Sequence, residues 1–391
     1  MAKRNKRKDP IIGLIVAVVL FAALAVGAWI VNDQLNDYRA GVLAEKQQEV
    51  IDRNAEKQAA YNDAKEDYKQ EIASNQANKA WPEAASEGWD VVDLTNYPLE
   101  APGTVTVSRE SIMYNGMLLV NEWHSRPSDF DESQMVTIHT YAKDTGLESF
   151  VDDGTCKLHP VAIDALVALL KDAKELGYDH YVVRKGNNFR TYEEQNKLFQ
   201  DELERQRSKR PNLSEEQLVA RAKKEINYPG TSEFNTGLSF TLKLYEKVDA
   251  DLKKYYEDTP FYDTADGKWL EENAWRYGFV FRFPKADWPV PGTMDKSYKT
   301  GVSVGLNCYR YVGKGHAAVM NHLGLCLEEY IEYLQEHPHI AVFENGVKRY
   351  EITYQVVGDD VPSFTVDINR LTNNYTMSLD NMGGVVTVYE Y

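Results

Sequence analysis

Metal-assisted hydrolysis needs imidazole, thiolate or carboxylate ligands at regular spacing, and a carboxylate able to take a proton. The chain has eight histidines: His124, His139, His159, His180, His316, His322, His337 and His339. They contain no H-x-x-x-H pair, and the one close pair, His337-x-His339, flanks Pro338 at the end of a predicted helix. His316 and His322 fall on that helix, where surface or core placement is the ordinary outcome. Cys156, Cys308 and Cys326 allow one disulfide at most and read as buried apolar positions. Glu233 stands as an isolated carboxylate with a structural or solvated role. The 25 tyrosines offer stacking surface for sugar or peptide, and equally furnish ordinary cores. Residue types alone assemble no hydrolytic centre.

The elements that would carry these residues alternate in type. Residues 117–120 read as a short strand. Residues 160–176 place Ile163, Leu166, Val167, Leu170 and Ala173 at helical spacing and close on Gly177. A strand over 181–183 precedes a charged helical stretch over 192–226, interrupted at Pro211. Alternation returns over 229–244 with Gly237, followed by a helix at 269–277 and strands at 278–283 and 307–312. A helix over 316–336 ends at His337-Pro338. This mixture predicts an α+β body over 104–337. Residues 338–391 change to short alternating runs punctuated by Gly346, Gly358, Asn373-Asn374 and Gly383-Gly384. Such a β extension is short for an independent domain and is expected to lean on the body.

Ahead of the body the composition shifts. The 391 residues carry a net charge of -16, but residues 1–31 hold Lys3, Arg4, Lys6, Arg7 and Lys8 against Asp9 alone. The basic tip at 1–10 precedes an uncharged run over 11–31, about the span of a hydrocarbon core as a helix. This predicts a single-pass anchor in a cell membrane with a cytoplasmic N-terminus and the remainder extracellular. A cleaved signal peptide is the alternative, with Ala23-Leu24-Ala25 as the candidate cut. Residues 32–80 are rich in Ala, Glu, Lys and Gln and lack proline, which predicts a helical stalk. Its irregular apolar seam admits a coiled-coil homodimer or a solvated spacer equally. Residues 81–103, opened by Trp81-Pro82, read as a linker. The acidic balance excludes nucleic acid as the main partner.

Five separated strings then form a pattern. They are NNFRTYEEQNKLF at 187–199, YPGTSEFNTGLSF at 228–240, WLEENAWRYGFVFRFPK at 269–285, YRYVGKGHAAVM at 309–320 and GLCLEEYIEYL at 324–334. In content, order and spacing they resemble the VanY-type D-alanyl-D-alanine carboxypeptidases, and SLDNMGG at 378–384 resembles the β extension of many Gram-positive members. The resemblance implies a zinc ion held by two His and one Asp, with a Glu as base. Members read S-E-H-x-x-G-x-A-x-D in one block and E-x-W-H before an aromatic-Arg-Tyr in another. Here the His and Asp positions of the first block are Phe234 and Thr241. The Glu and His positions of the second are Gly305 and Cys308. Phe234 has no lone pair, Thr241 is a poor zinc ligand, Gly305 cannot accept a proton, and one thiol does not hold zinc.

Zinc, the family's cofactor, is therefore not expected here, nor is any other. The resemblance leaves Arg190 where members place an arginine that meets the substrate carboxylate, a task suited to its planar fork. Gln195, Ser232 and Arg310 also fall at matching positions, with support of the fold as their ordinary role. The expectation is a surface-anchored pseudopeptidase that binds peptidoglycan stem peptide or an envelope protein without cleaving it. The alternatives are an active D,D-carboxypeptidase with a relocated metal site, or an envelope scaffold assembled through the stalk.

Overall fold

A computed structural model describes residues 81–391 apart from 148–149, 245–249 and 359–360, together with positions 34 and 52. The expected anchor at 11–31 and all but those two positions of the expected stalk lie outside the described residues. Among the described residues no helix is long and apolar enough to cross a membrane.

The stretch expected as a linker carries a strand, β1 (Trp89–Asp93), and the start of another, β2 (Pro102–Ser108). Residues 117–120, expected as a strand, pair with no sheet neighbour. They run extended through the core, fully buried. Their polar groups are met individually: Met117 donates its N–H to Ser378 Oγ at 2.9 Å and Leu119 donates to the Asp380 carbonyl at 3.0 Å. The Leu118 carbonyl accepts from Arg310 Nη2 at 2.8 Å. Two side chains and one main-chain carbonyl here replace the ladder that a strand would need.

Helix α1 (Pro160–Glu175) starts with proline in its first turn, where the missing N–H costs nothing. Its buried stripe, Ile163, Leu166, Leu170 and Ala173, packs in one cluster with Val183, Phe240 and Leu242. Those three belong to a four-stranded antiparallel sheet made of β3 (Tyr181–Val183), β4 (Ser239–Leu244), β5 (Phe279–Phe281) and β6 (Cys308–Tyr311). Its order is β3-β4-β6-β5, so β5 is an edge. Helices α2 (Tyr192–Lys209) and α3 (Glu215–Glu225) break at Pro211 as the sequence predicts. At the start of α2, Thr191 Oγ1 accepts the Glu194 N–H at 3.1 Å and Glu194 accepts the Thr191 N–H at 2.8 Å. Gly237 turns the chain into β4 with φ +72°, and a Cβ there would meet Met135 Sδ at 2.0 Å.

The single helix expected over 316–336 is two, α4 (Lys314–Leu323) and α5 (Leu327–Glu336). Gly324 adopts a left-handed conformation, φ +65°, and stops the first. Beyond them lie β7 (His339–Glu344), β8 (Val347–Val356), β9 (Ser363–Asn369), β10 (Tyr375–Leu379) and β11 (Gly384–Glu390). A five-stranded sheet runs β1-β7-β8-β11-β10, and β9 pairs with β2. Trp89 lies opposite Glu344 and Asp93 opposite Ile340. The expected linker and the expected extension are thus woven into one sheet. Ala317, Met320, Leu327, Ile331 and Leu334 of α4 and α5 pack against Ile340, Ile352 and Val388 of that sheet.

Candidate functional site

The sheet partners β4 and β6 put Thr241 directly opposite Cys308. Phe234 enters from the turn ahead of β4 and shares an apolar cluster with Cys308 and Phe283, walled by Val302 and Leu306. Phe234 is 7 % exposed, Thr241 2 % and Cys308 0 %. At Gly305 the Trp288 indole ring stands 3.3 Å from where a Cβ would sit. Phe234, Thr241 and Cys308 are therefore buried in a corner of packed side chains, whereas Gly305 is exposed beside the Trp288 ring.

The chemistry of this corner does not suit zinc. A phenyl ring has no lone pair to offer. Thr241 Oγ1 is buried and finds no hydrogen-bond partner among the described residues. Burial pushes the Cys308 thiol far above its ordinary value, and the nearby Glu233 carboxylate adds to the effect. The thiol is therefore protonated in this apolar setting, and a metal would have to displace that proton with no second ligand beside it among the described residues. Among the described residues no three His, Cys, Asp or Glu side chains are grouped to hold a metal ion.

One residue away the picture reverses. Glu233 accepts from Arg310 Nη1 at 2.5 Å, from Arg282 Nε at 2.7 Å and from Ser239 Oγ at 2.6 Å. Arg282 continues to Glu328 through two hydrogen bonds, of 2.7 and 3.0 Å, and Asn121 Nδ2 adds a third to Glu328 at 3.1 Å. Glu233, Arg282, Arg310 and Glu328 are all buried. Burial alone would raise the Glu233 carboxyl, but the Arg310 and Arg282 guanidinium groups outweigh it and hold the group down at about 2. Arg310 also donates to the Tyr311, Gly116 and Leu118 carbonyls, so its fork is committed inside the protein. The sequence pointed to Glu233 and Arg310 but not to Arg282 and Glu328. Its signal was an arginine inside the apolar run Phe279–Phe283, since a charge in a buried strand requires a buried partner.

Arg190 is placed differently. Its Nε donates to the Gly186 carbonyl at 2.6 Å, Nη2 to Asn187 Oδ1 at 2.9 Å and Nη1 to Gln195 Oε1 at 3.2 Å. The guanidinium lies over the Phe234 ring, 4.8 Å from its centre. Burial lowers its pKa. Among the described residues no carboxylate forms an ion pair with it. Two of its five N–H groups are left over by these contacts. Gln195 is buried and bridges Arg190 to the Asn227 carbonyl, to which its Nε2 donates at 2.8 Å. Ser232 is buried in the turn that carries Phe234, its N–H bonded to Asn235 Oδ1 at 3.4 Å. Of the four binding candidates, Arg190 alone is half-open, and the other three lie inside the protein that supports it.

Residues 155–314 match the family described as VanY: D-alanyl-D-alanine carboxypeptidase. A D-alanyl-D-alanine carboxypeptidase of Enterococcus faecium is 30% identical over 286 residues, covering 73% of this chain and 78% of that protein. The putative carboxypeptidase YodJ of Bacillus subtilis (strain 168) is 29% identical over 224 residues, 57% of this chain and 69% of its own. Among solved structures, the vancomycin-resistance D,D-dipeptidase VanXYg in complex with a D-Ala-D-Ala phosphinate analogue is similar with a TM-score of 0.51. That similarity spans 74% of this chain and 99% of the other at 23% identity, and it shows a shared fold.

Proposed function

The chain belongs to the VanY family of D-alanyl-D-alanine carboxypeptidases, and on that premise we propose that it binds D-alanine-terminated stem peptide without hydrolysing it. One observation carries this reading: Arg190 is a half-buried cation with unused donors and no ion-paired carboxylate among the described residues. A peptide's terminal carboxylate accepts two parallel N–H bonds from such a fork. Asn187, Gln195 and the Gly186 carbonyl fix the fork beforehand, so little side-chain freedom is lost on binding. The Phe234 ring behind it keeps water from one face. Hydrolysis would then lack both an activated water and a base, because Gly305 carries no carboxyl and the ligand positions are Phe234, Thr241 and Cys308.

In the same proposal, residues 11–31 anchor the chain in the cell membrane and 32–80 hold the body away from it on the outer side. Protease digestion of the body on intact cells tests that arrangement.

The main test is a titration of the full chain with a muropeptide ending in D-Ala-D-Ala, run with and without zinc. Saturable binding is expected, weakened about tenfold in Arg190→Ala and with a C-terminally amidated peptide, and with no D-alanine released. Zinc-dependent release of D-alanine overturns the reading, as does binding that ignores Arg190→Ala.

A further inference from the structure

The first turn of α4 opens on a cavity of about 280 Å³ lined from α1, the end of β6 and the last strand, β11. Val312, His316 and Val388 line it as buried residues, while Asp164, Lys314 and Glu390 stand exposed at its mouth. None of the residues that fix Arg190 belongs to it.

Two independent sets of donors meet there. Gly313 caps α4 without a side-chain hydrogen bond, and among the described residues nothing accepts the N–H groups of Lys314, Gly315 and His316. Such a helix start attracts a negative group. The second donor is the His316 ring, 1 % exposed and kept neutral by burial. Its Nδ1 lies 2.9 Å from the Tyr330 hydroxyl. That hydroxyl has no other partner among the described residues, so it donates to Nδ1, and the ring carries its own proton on Nε2. Nothing described accepts that proton. The ring edge at Cδ2, next to Nε2, faces the cavity wall at Gly313, 3.7 Å from where a Cβ would sit.

The same cavity carries acceptors. Asp164 accepts from the Tyr141 hydroxyl at 3.3 Å, and the Glu390 carboxylate from Asn374 Nδ2 at 3.3 Å. Among the described residues Asp164, Glu390 and Lys314 enter no ion pair. Both carboxylates act on one wall residue: burial, with Glu390 and Asp164 nearby, pushes the Tyr311 hydroxyl up to about 12. A simple anion would meet these carboxylates, and a simple cation would meet Lys314 and the helix start. A ligand carrying both charges satisfies the two sets at once. Val161, Ala165, Val312 and Val388 leave apolar wall for a short aliphatic group.

We propose that this cavity binds a free α-amino acid with a short aliphatic side chain. Its carboxylate takes the first-turn N–H groups of α4, the His316 Nε2–H and Lys314. Its ammonium group meets Asp164 and Glu390.

The test titrates the full chain with L-alanine and D-alanine, and with propionate and ethylamine, which each remove one charge without adding bulk. Saturable binding of either alanine is expected, with propionate and ethylamine each at least about tenfold weaker. Asp164→Asn, at an exposed helix position, is expected to weaken alanine about tenfold, and Thr376→Trp, on the exposed rim, to block it. The ligand series reads the unaltered chain, so it stands even where a variant fails to fold. Arg190→Ala is expected to leave alanine binding unchanged, which separates this site from stem-peptide capture. Propionate or ethylamine binding as tightly as alanine, no alanine binding, indifference to Asp164→Asn, or loss of alanine binding in folded Arg190→Ala overturns the proposal.

Discussion

Glu233 and Phe234 are neighbours in the chain, and their surroundings could hardly differ more. Glu233 anchors a closed set of buried charges with Arg310, Arg282 and Glu328. Phe234 faces Cys308 in an apolar cluster, with the Arg190 guanidinium over its ring as the nearest charge described for it. On the proposed reading, the difference teaches which parts of such a scaffold are expendable. A metal ligand is held in place by the fold but does not hold it together, so a ring or a thiol of similar bulk would be tolerated there. A buried ion network cannot lose one member, because the others are left desolvated and unpaired.

The contrast can be broken first at the network. Arg282→Met should destabilise the protein by about 3–5 kcal/mol, since it strands Glu233 and Glu328 in the interior. Chemical denaturation measures the loss, and a change below about 1 kcal/mol would mean the charges are not coupled as described.

Acid should act next. His316, bonded to the Tyr330 hydroxyl at 2.9 Å, is held down at about 3 by burial. The unfolded chain takes up that proton near 6.5, so stability falls as pH drops from about 6.5 towards 3. Glu233 is held at about 2 by its arginines against burial, and Glu351 at about 2 mainly by His339 against burial. Their contribution is complete above about 4.5 and is lost as pH falls towards 2. Urea midpoints at pH 7, 5 and 3.5 should decrease in that order, and a flat profile contradicts the assignment.

The corner offers the opposite experiment. Phe234→His, Thr241→Asp and Cys308→His together should cost about 2–3 kcal/mol without metal, because polar groups enter an apolar cluster. Added zinc should recover stability in this variant and leave the parent unchanged. Arg190→Ala should reduce muropeptide affinity about tenfold while shifting stability by less than about 1 kcal/mol, because the side chain is half-open. The smallest effect is expected for Thr241→Val, which removes a buried hydroxyl without a partner and should stabilise by about 1 kcal/mol.

Much of this was legible before any coordinates. The helix Pro160–Glu175 follows from its apolar spacing, and the break between α2 and α3 from Pro211. What could not be read depends on partners distant in the chain. Strand β1 has no strong alternation of its own and exists because β7 offers it an edge. Residues 117–120 look like a strand by composition, yet Ser378, Asp380 and Arg310 meet their backbone instead. The link from Arg282, just past β5, to Glu328 spans 46 residues; the apolar run around Arg282 announces that it needs a partner but not which one. Gly324 was visible, but only its left-handed conformation divides the last helix.

The pairing of Trp89 with Glu344 also governs when the sheet can exist. On a ribosome, β1 emerges early and then waits for roughly 250 residues before its sheet neighbour β7 appears. Contacts of such sequence separation form late and slowly, so the four-stranded sheet and its helices can assemble while the outer sheet is still open. Until β7 arrives, β1 is a naked strand edge that a chaperone or another nascent chain can capture. Truncations that stop before β7 should therefore aggregate, even though every residue around Arg190 and Phe234 has already been made.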